Sequence, residues 1–165
     1  MQCNISTEST DGIVFFRIFE MNHLLLRRLL DPISLDGALL VVRVWLGAMM
    51  AYHGFPKVFG NAQGFVEYLN KLGFPAPELW AALAGGAEFF GGLLIVVGFL
   101  TRPAAIAVLI TMLVAVFIAH GADPFSKKEL ALAYVALSLT TLLSGSGKFS
   151  LDALWLNTQK NVQST

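Results

Sequence analysis

Four long apolar runs, each broken by one charge at most, occupy the centre of the chain. Ala38 to Phe55 (ALLVVRVWLGAMMAYHGF) contains only Arg43, and Leu79 to Thr101 (LWAALAGGAEFFGGLLIVVGFLT) only Glu88. Pro103 to Ala122 and Leu130 to Gly147 contain no charge. A bilayer core about 30 Å thick is crossed by roughly 17 to 25 apolar residues in a helix. Backbone groups in hydrocarbon must be satisfied within their own segment, so the runs read as helices rather than strands. The expected fold is all-α, an integral membrane four-helix bundle with helices at about 38–55, 79–101, 103–122 and 130–147. Thr101-Arg102-Pro103 leaves room only for a tight turn, with Pro103 suited to the first helical position, so the second and third helices form an antiparallel hairpin. Pro56 to Glu78 reads as a longer loop punctuated by Gly60, Gly64, Gly73, Pro75 and Pro77, and Gly121 to Lys128 joins the last two helices. Residues 1–37 form an N-terminal cytoplasmic or interfacial segment, and 148–165 a cytoplasmic tail. Within the first, HLLLRRLL (23–30) is expected to be a short interfacial helix, and Met21 just before it is an alternative start.

Composition sharpens this picture. Of 165 residues 56% are hydrophobic and 13% charged, against about 25% charged in soluble domains. Half of the charges fall outside residues 38–145, so the centre cannot clothe a water-facing surface. A zero net charge without a Lys/Arg run excludes a nucleic-acid footprint. The single Cys3 excludes an internal disulfide and a thiolate zinc cluster, and no metal site is expected. An even number of spans puts both termini on one side. That side carries Arg17, Arg27, Arg28, Arg102, Lys148 and Lys160; the other carries Lys57, Lys71, Lys127 and Lys128. The bias favours cytoplasmic termini and an outer location for Lys71 and Lys127.

Candidate chemistry starts at Glu88. Ala81, Gly85, Glu88 and Gly92 are spaced by four, three and four, so they share one helix face. Small residues let membrane helices approach closely, whereas a mid-membrane charge facing lipid costs roughly 2.5 to 3.5 kcal/mol on insertion scales. Glu88 is therefore expected to point into the bundle. At 1.5 Å per residue, Glu88, His53 and His120 fall at similar depth in the outer half, beneath a mouth carrying Lys57 and Glu129. His53 or His120 is therefore expected as the nearest ionisable neighbour of Glu88, directly or through water. Arg43 lies about 12 Å deeper towards the cytoplasm and is expected to reach Asp36 or Asp152 rather than Glu88. The plain alternatives are a topogenic Arg43, histidines that only cap helix ends, and Trp45, Trp80 and Trp155 as interface anchors.

Taken in order, the residues resemble the DoxX family of small four-helix membrane proteins. The carriers are RVWLGAMMAYHGFPKVFG (43–60), AEFFGGLLIVVGFLTRPAA (87–105), the spacing His120-x8-Glu129, and GSGKFSLD (145–152). The resemblance implies redox association, through quinol oxidation, thiosulfate:quinone oxidoreduction or quinone-stress defence, and equally admits non-catalytic chaperone relatives. The first functional expectation is an inner-membrane component of a quinone-linked oxidoreductase system, at most its membrane subunit. Glu88, His53 and His120 would form a proton and quinone site, with Tyr52, Lys57 and Glu129 beside the quinone or quinol. No CxxCH, cysteine cluster or Gly-rich dinucleotide loop is present, so electrons would come from a redox-enzyme partner in the same bilayer. Homo-oligomerisation is compatible with this reading. The alternatives are a scaffold or assembly subunit using its glycine faces, a small transporter using Glu88, and a haem held by His53 and His120.

Overall fold

The apolar stretch bounded by Asp36 and Lys57 folds, in a computed structural model of the chain, into one helix, α1 (Leu35–Phe59). Asp36 in its first turn and Lys57 in its last complement the helix dipole. Pro56 lies inside α1, where its missing N–H removes only the bond to the carbonyl of Tyr52. The helix thus outruns its expected end at Phe55, and the extra turn carries Lys57. Residues 34–163 are described; the expected helix at 23–30 and Met21 lie outside them.

The expected loop between the first two spans contains a further helix, α2 (Ala62–Lys71), whose N-cap Asn61 accepts from the Gly64 amide. Its side-chain cap gives it the start signal that Gly64 obscures in sequence. α3 (Pro77–Val97) begins with a proline at N1 and ends at Gly98, whose φ of +74° closes the helix in the left-handed region. α4 then runs from Thr101 to Val114 and continues as a π-helical turn, Ala115–Ala119. α5 is Phe125–Ser144 and α6 is Leu151–Gln163. Against expectation, the turn between the hairpin helices is Gly98–Leu100, and Thr101-Arg102-Pro103 is already α4.

Small residues set the packing. A Cβ on Gly47 would meet the Gly92 carbonyl at 2.5 Å, and one on Gly92 would meet the Ala51 amide at 2.6 Å. α1 and α3 therefore touch backbone to backbone. α3 packs on α4, and α4 on α5. Leu46, Met50, Ile95, Val108 and Met112 make the shared core, with Tyr134 from α5. Trp45, Phe55, Leu83, Phe90, Ile110 and Phe117 are exposed around the outside. An outside this apolar is suited to lipid, which solvates it without cost.

Among the described residues, three helices are long and apolar enough to cross a membrane: Leu35–Phe59, Pro77–Val97 and Thr101–Ala119. α5 has 20 residues, about 30 Å of helix, but Lys127, Lys128 and Glu129 occupy its start and only Leu130–Ser144 is uncharged. The architecture is all-α and membrane-embedded, with six α-helices among the described residues.

The base of the unit is tied by two side chains. Arg43, 3% exposed, donates to the carbonyls of Ser146 and Phe149 in the α5–α6 connection. It does not reach Asp36, which pairs with Lys148 at 2.9 Å. Asp152 accepts from the Leu100 amide at 2.9 Å, the Thr101 amide at 3.1 Å and the Thr101 hydroxyl at 2.8 Å. Leu100 stands at φ +47°, a conformation costing about 1–2 kcal/mol for an L-residue, and the Asp152 carboxylate offsets it by satisfying the exposed end of α4.

Candidate functional site

Glu88 faces the interior, as its place among Ala81, Gly85 and Gly92 requires; all four are buried. Its partner is Lys57. The Lys57 Nζ donates to both Glu88 carboxylate oxygens at 2.6 Å. The Glu88 side chain is 3% exposed and that of Lys57 25%, so the pair is sealed on the acid side and accessible on the amine side. Lys57 also lies 4.8 Å from the centroid of the Phe65 ring, a cation–π distance. The sequence led us to expect a histidine as the nearest ionisable neighbour of Glu88. The extra turn of α1 beyond Pro56 puts Lys57 there instead.

Two cavities meet at this pair. The larger, about 330 Å³, lies among α2, α3 and α4 and is walled by Phe65, Tyr68, Phe74 and Trp80. Its polar lining comes mainly from Lys57, Glu88 and His120. Its volume falls within the range of about 300 to 1,000 Å³ usual for small-molecule sites. The smaller, about 170 Å³, is lined by His53, Lys127 and Tyr134 together with the same Lys57, Glu88 and His120. Ala115, which opens the π-helical turn, borders both. Such turns recur at functional sites because they redirect a helix's last side chains. Here the turn ends at His120.

His120 is oriented by Asp123: its Nδ1 lies 2.8 Å from the Asp123 carboxylate. The hydrogen bond from His120 holds the Asp123 carboxyl below the usual range. With Nδ1 donating, Nε2 accepts a hydrogen bond when the ring is neutral and donates one when it is protonated. His53 stacks edge-on against Tyr134, with ring centroids 5.9 Å apart.

Of the residues singled out in the sequence, Glu88, His53, His120 and Lys57 line one cavity. Tyr52 lines neither cavity; it is 72% exposed on α1, edge-on to His53 with ring centroids 5.7 Å apart, in a groove with His53, Phe55 and Phe89. Glu129 is exposed and lines neither cavity. The aromatic walls from α2, and Lys127 and Tyr134 from α5, were missed. Phe65 and Tyr68 at i, i+3 within 62–71 were the available signal.

The fold and this centre define a helical protein that crosses the bilayer more than once and buries an ion pair between its helices. The family model described as DoxX matches residues 38–121. The chain is similar to inner membrane protein YphA of Escherichia coli (strain K12), with 38% identity over 127 residues, covering 69% of this chain and 87% of that protein. No solved structure matches significantly. The chain belongs to the DoxX family, as an inner-membrane, multi-pass protein.

Proposed function

We propose that the chain is the membrane subunit of a quinone-linked oxidoreductase system, binding a quinone or quinol ring in the aromatic cavity between α2, α3 and α4. The observation that carries this reading is the pairing of flat apolar walls with a polar floor of Lys57, Glu88 and His120. A quinone becomes a quinol by gaining two electrons and two protons. The electrons come from a redox partner, since the chain carries no motif for a redox cofactor. Lys57 and protonated His120 are the donors available to carbonyl oxygen, and Glu88 is placed to pass a proton through Lys57 or water. His53, Lys127 and Tyr134 line the adjoining smaller cavity, on the route a proton from outside would take. In this reading both termini are cytoplasmic.

The scaffold alternative rested on glycine faces free to bind other helices. Gly47, Gly54, Gly85 and Gly92 are spent on contacts within this chain, which weakens that argument. The test is to purify the protein with its native lipids and co-purifying proteins and identify both by mass spectrometry. Bound quinone with a redox partner is the expected result. In a deletion strain, Glu88→Gln and His53→Ala are expected to accumulate normally yet lose quinone-dependent activity or oxidant protection. A partner without quinone, with full complementation by Glu88→Gln, would transfer the assignment to a scaffold.

A further inference from the structure

Helix α6 carries an apolar face that no other element covers among the described residues. Leu151, Leu154 and Trp155 stand at i, i+3 and i+4, on one side of the helix, and are 44%, 62% and 60% exposed. Phe149, just before the helix, is 60% exposed. Asp152 and Ala153 are half-buried and, with Trp155 and the 55% exposed Leu156, border a cavity at the base of the bundle. The Asp152 amide donates to the Gly98 carbonyl at 2.9 Å and its carboxylate holds the start of α4. The Ala153 amide donates to the Ser150 hydroxyl.

The position of that attachment decides what the open face meets. Gly98–Leu100 is the turn between two membrane-spanning helices, so it lies where the chain leaves the hydrocarbon. Phe99 and Leu100 in this turn are themselves 42% and 49% exposed and continue the lipid-facing surface of α3 and α4. α6 starts from the same level, pinned by Asp152 on one side and by Arg43 through the Phe149 carbonyl on the other. We infer that α6 lies along the membrane surface with Leu151, Leu154 and Trp155 in the headgroup–acyl boundary. Its occupant is the bilayer that already surrounds α3 and α4. Between Leu151 and Gln163 the only charges are Asp152 and Lys160. Interfacial helices that bind from solution usually add a basic face. α6 is tethered to the spans by the chain itself, so a neutral lipid surface suffices.

The test uses the full chain reconstituted in phosphatidylcholine vesicles. Trp45→Phe and Trp80→Phe leave Trp155 as the single tryptophan. Its emission is expected to be blue-shifted, strongly quenched by phosphatidylcholine brominated near the top of its acyl chains, and protected from aqueous acrylamide. Adding Leu154→Glu is expected to reduce the lipid quenching at least twofold and raise the acrylamide quenching, while the chain still fractionates with the vesicles. Acrylamide quenching of Trp155 comparable to free tryptophan overturns the inference. Protection from both quenchers also overturns it, because the face is then covered by protein. Should Leu154→Glu fail to insert, the parent single-tryptophan chain decides the matter alone.

Discussion

Lys57 on α1 and Glu88 on α3 meet through both carboxylate oxygens, at the point where the two helices approach closely enough to exclude other partners. The Gly54 and Gly85 positions beside them keep that approach open: a Cβ at Gly54 would collide with the Phe89 backbone. Pair and packing are one feature.

The pair is asymmetric in exposure, and its mutants should be asymmetric in stability. Lys57→Met leaves a sealed carboxylate without its cation, whereas Glu88→Gln keeps an acceptor for an amine that already reaches the cavity. Removing one partner of a fully buried pair costs about 3–5 kcal/mol. Lys57 is partly exposed, so we expect about 2–3 kcal/mol for Lys57→Met and less than half of that for Glu88→Gln. Lys57→Met with Glu88→Leu should recover most of the loss, since apolar replacement of a buried pair is often neutral. Thermal unfolding in detergent across the double-mutant cycle measures all three. Equal destabilisation by the two single changes would contradict the asymmetry.

Glycine substitutions should grade by what a methyl group meets. Gly92→Ala presses on Ala51 and Gly47 backbone at 2.6 Å and is expected to cost about 1–3 kcal/mol by overpacking, visible as reduced accumulation in membranes. Gly85→Ala meets the Lys57 Cβ at 3.2 Å and should be milder, although Leu at either position separates the helices. Gly86→Ala meets nothing within 4 Å and should be neutral or gain up to about 1 kcal/mol of helix propensity.

Acid should loosen the base of the bundle through Asp152. Desolvation pushes its carboxyl up, but the hydrogen bonds from Thr101 and Leu100 together with Arg43 outweigh this, and its folded value lies below the usual one. A depressed carboxylate contributes its stability above its unfolded pKa, about 3.9 for Asp, and loses it as pH falls through the folded value. The melting temperature should therefore decline below about pH 4. In Asp152→Asn that part of the decline should vanish, whereas Asp152→Ala, which removes the acceptor altogether, should lower stability at pH 7 by about 0.5–2 kcal/mol as for a lost N-cap. An unchanged acid limb in Asp152→Asn would remove Asp152 from the account.

Lys71, at the end of α2, and Lys127, at the start of α5, should be labelled from the same side. The Tyr68 hydroxyl lies 3.5 Å from the Ala119 carbonyl, which brings α2 to the end of α4 that precedes Lys127. With cytoplasmic termini, Lys71→Cys and Lys127→Cys react with an impermeant maleimide added outside intact spheroplasts. Reaction of both only after lysis inverts the orientation, and reaction from opposite sides breaks the shared end.

The apolar runs and the inward Glu88 were legible because both follow from the cost of polar groups in hydrocarbon, which acts on every residue of a span. Lys57 was misplaced for a local reason. Pro56 reads as a helix stop, yet the final turn of a helix tolerates it, and the four added residues changed which side chain reaches Glu88. Arg43 was expected to reach Asp36 or Asp152; it interacts with Asp152 through charge, but its hydrogen bonds go to two backbone carbonyls that belong to no motif. α2 escaped because Gly64 and the flanking prolines outweigh ten residues of amphipathic pattern. The π-helical turn at Ala115–Ala119 leaves no compositional trace at all, being a choice among hydrogen-bond registers open to any apolar helix.

The ties made by Arg43 and Asp152 also bear on the order of synthesis. Arg43 belongs to the first described helix, whereas its acceptors at Ser146 and Phe149 and the Asp152 that caps α4 lie near the end of the chain. During translation the first three spans therefore reach the bilayer with a guanidinium and a helix end still unsatisfied. They are satisfied only once residues 146–152 have followed them, so a chain stopped before Ser146 is expected to leave both Arg43 and the start of α4 without these partners.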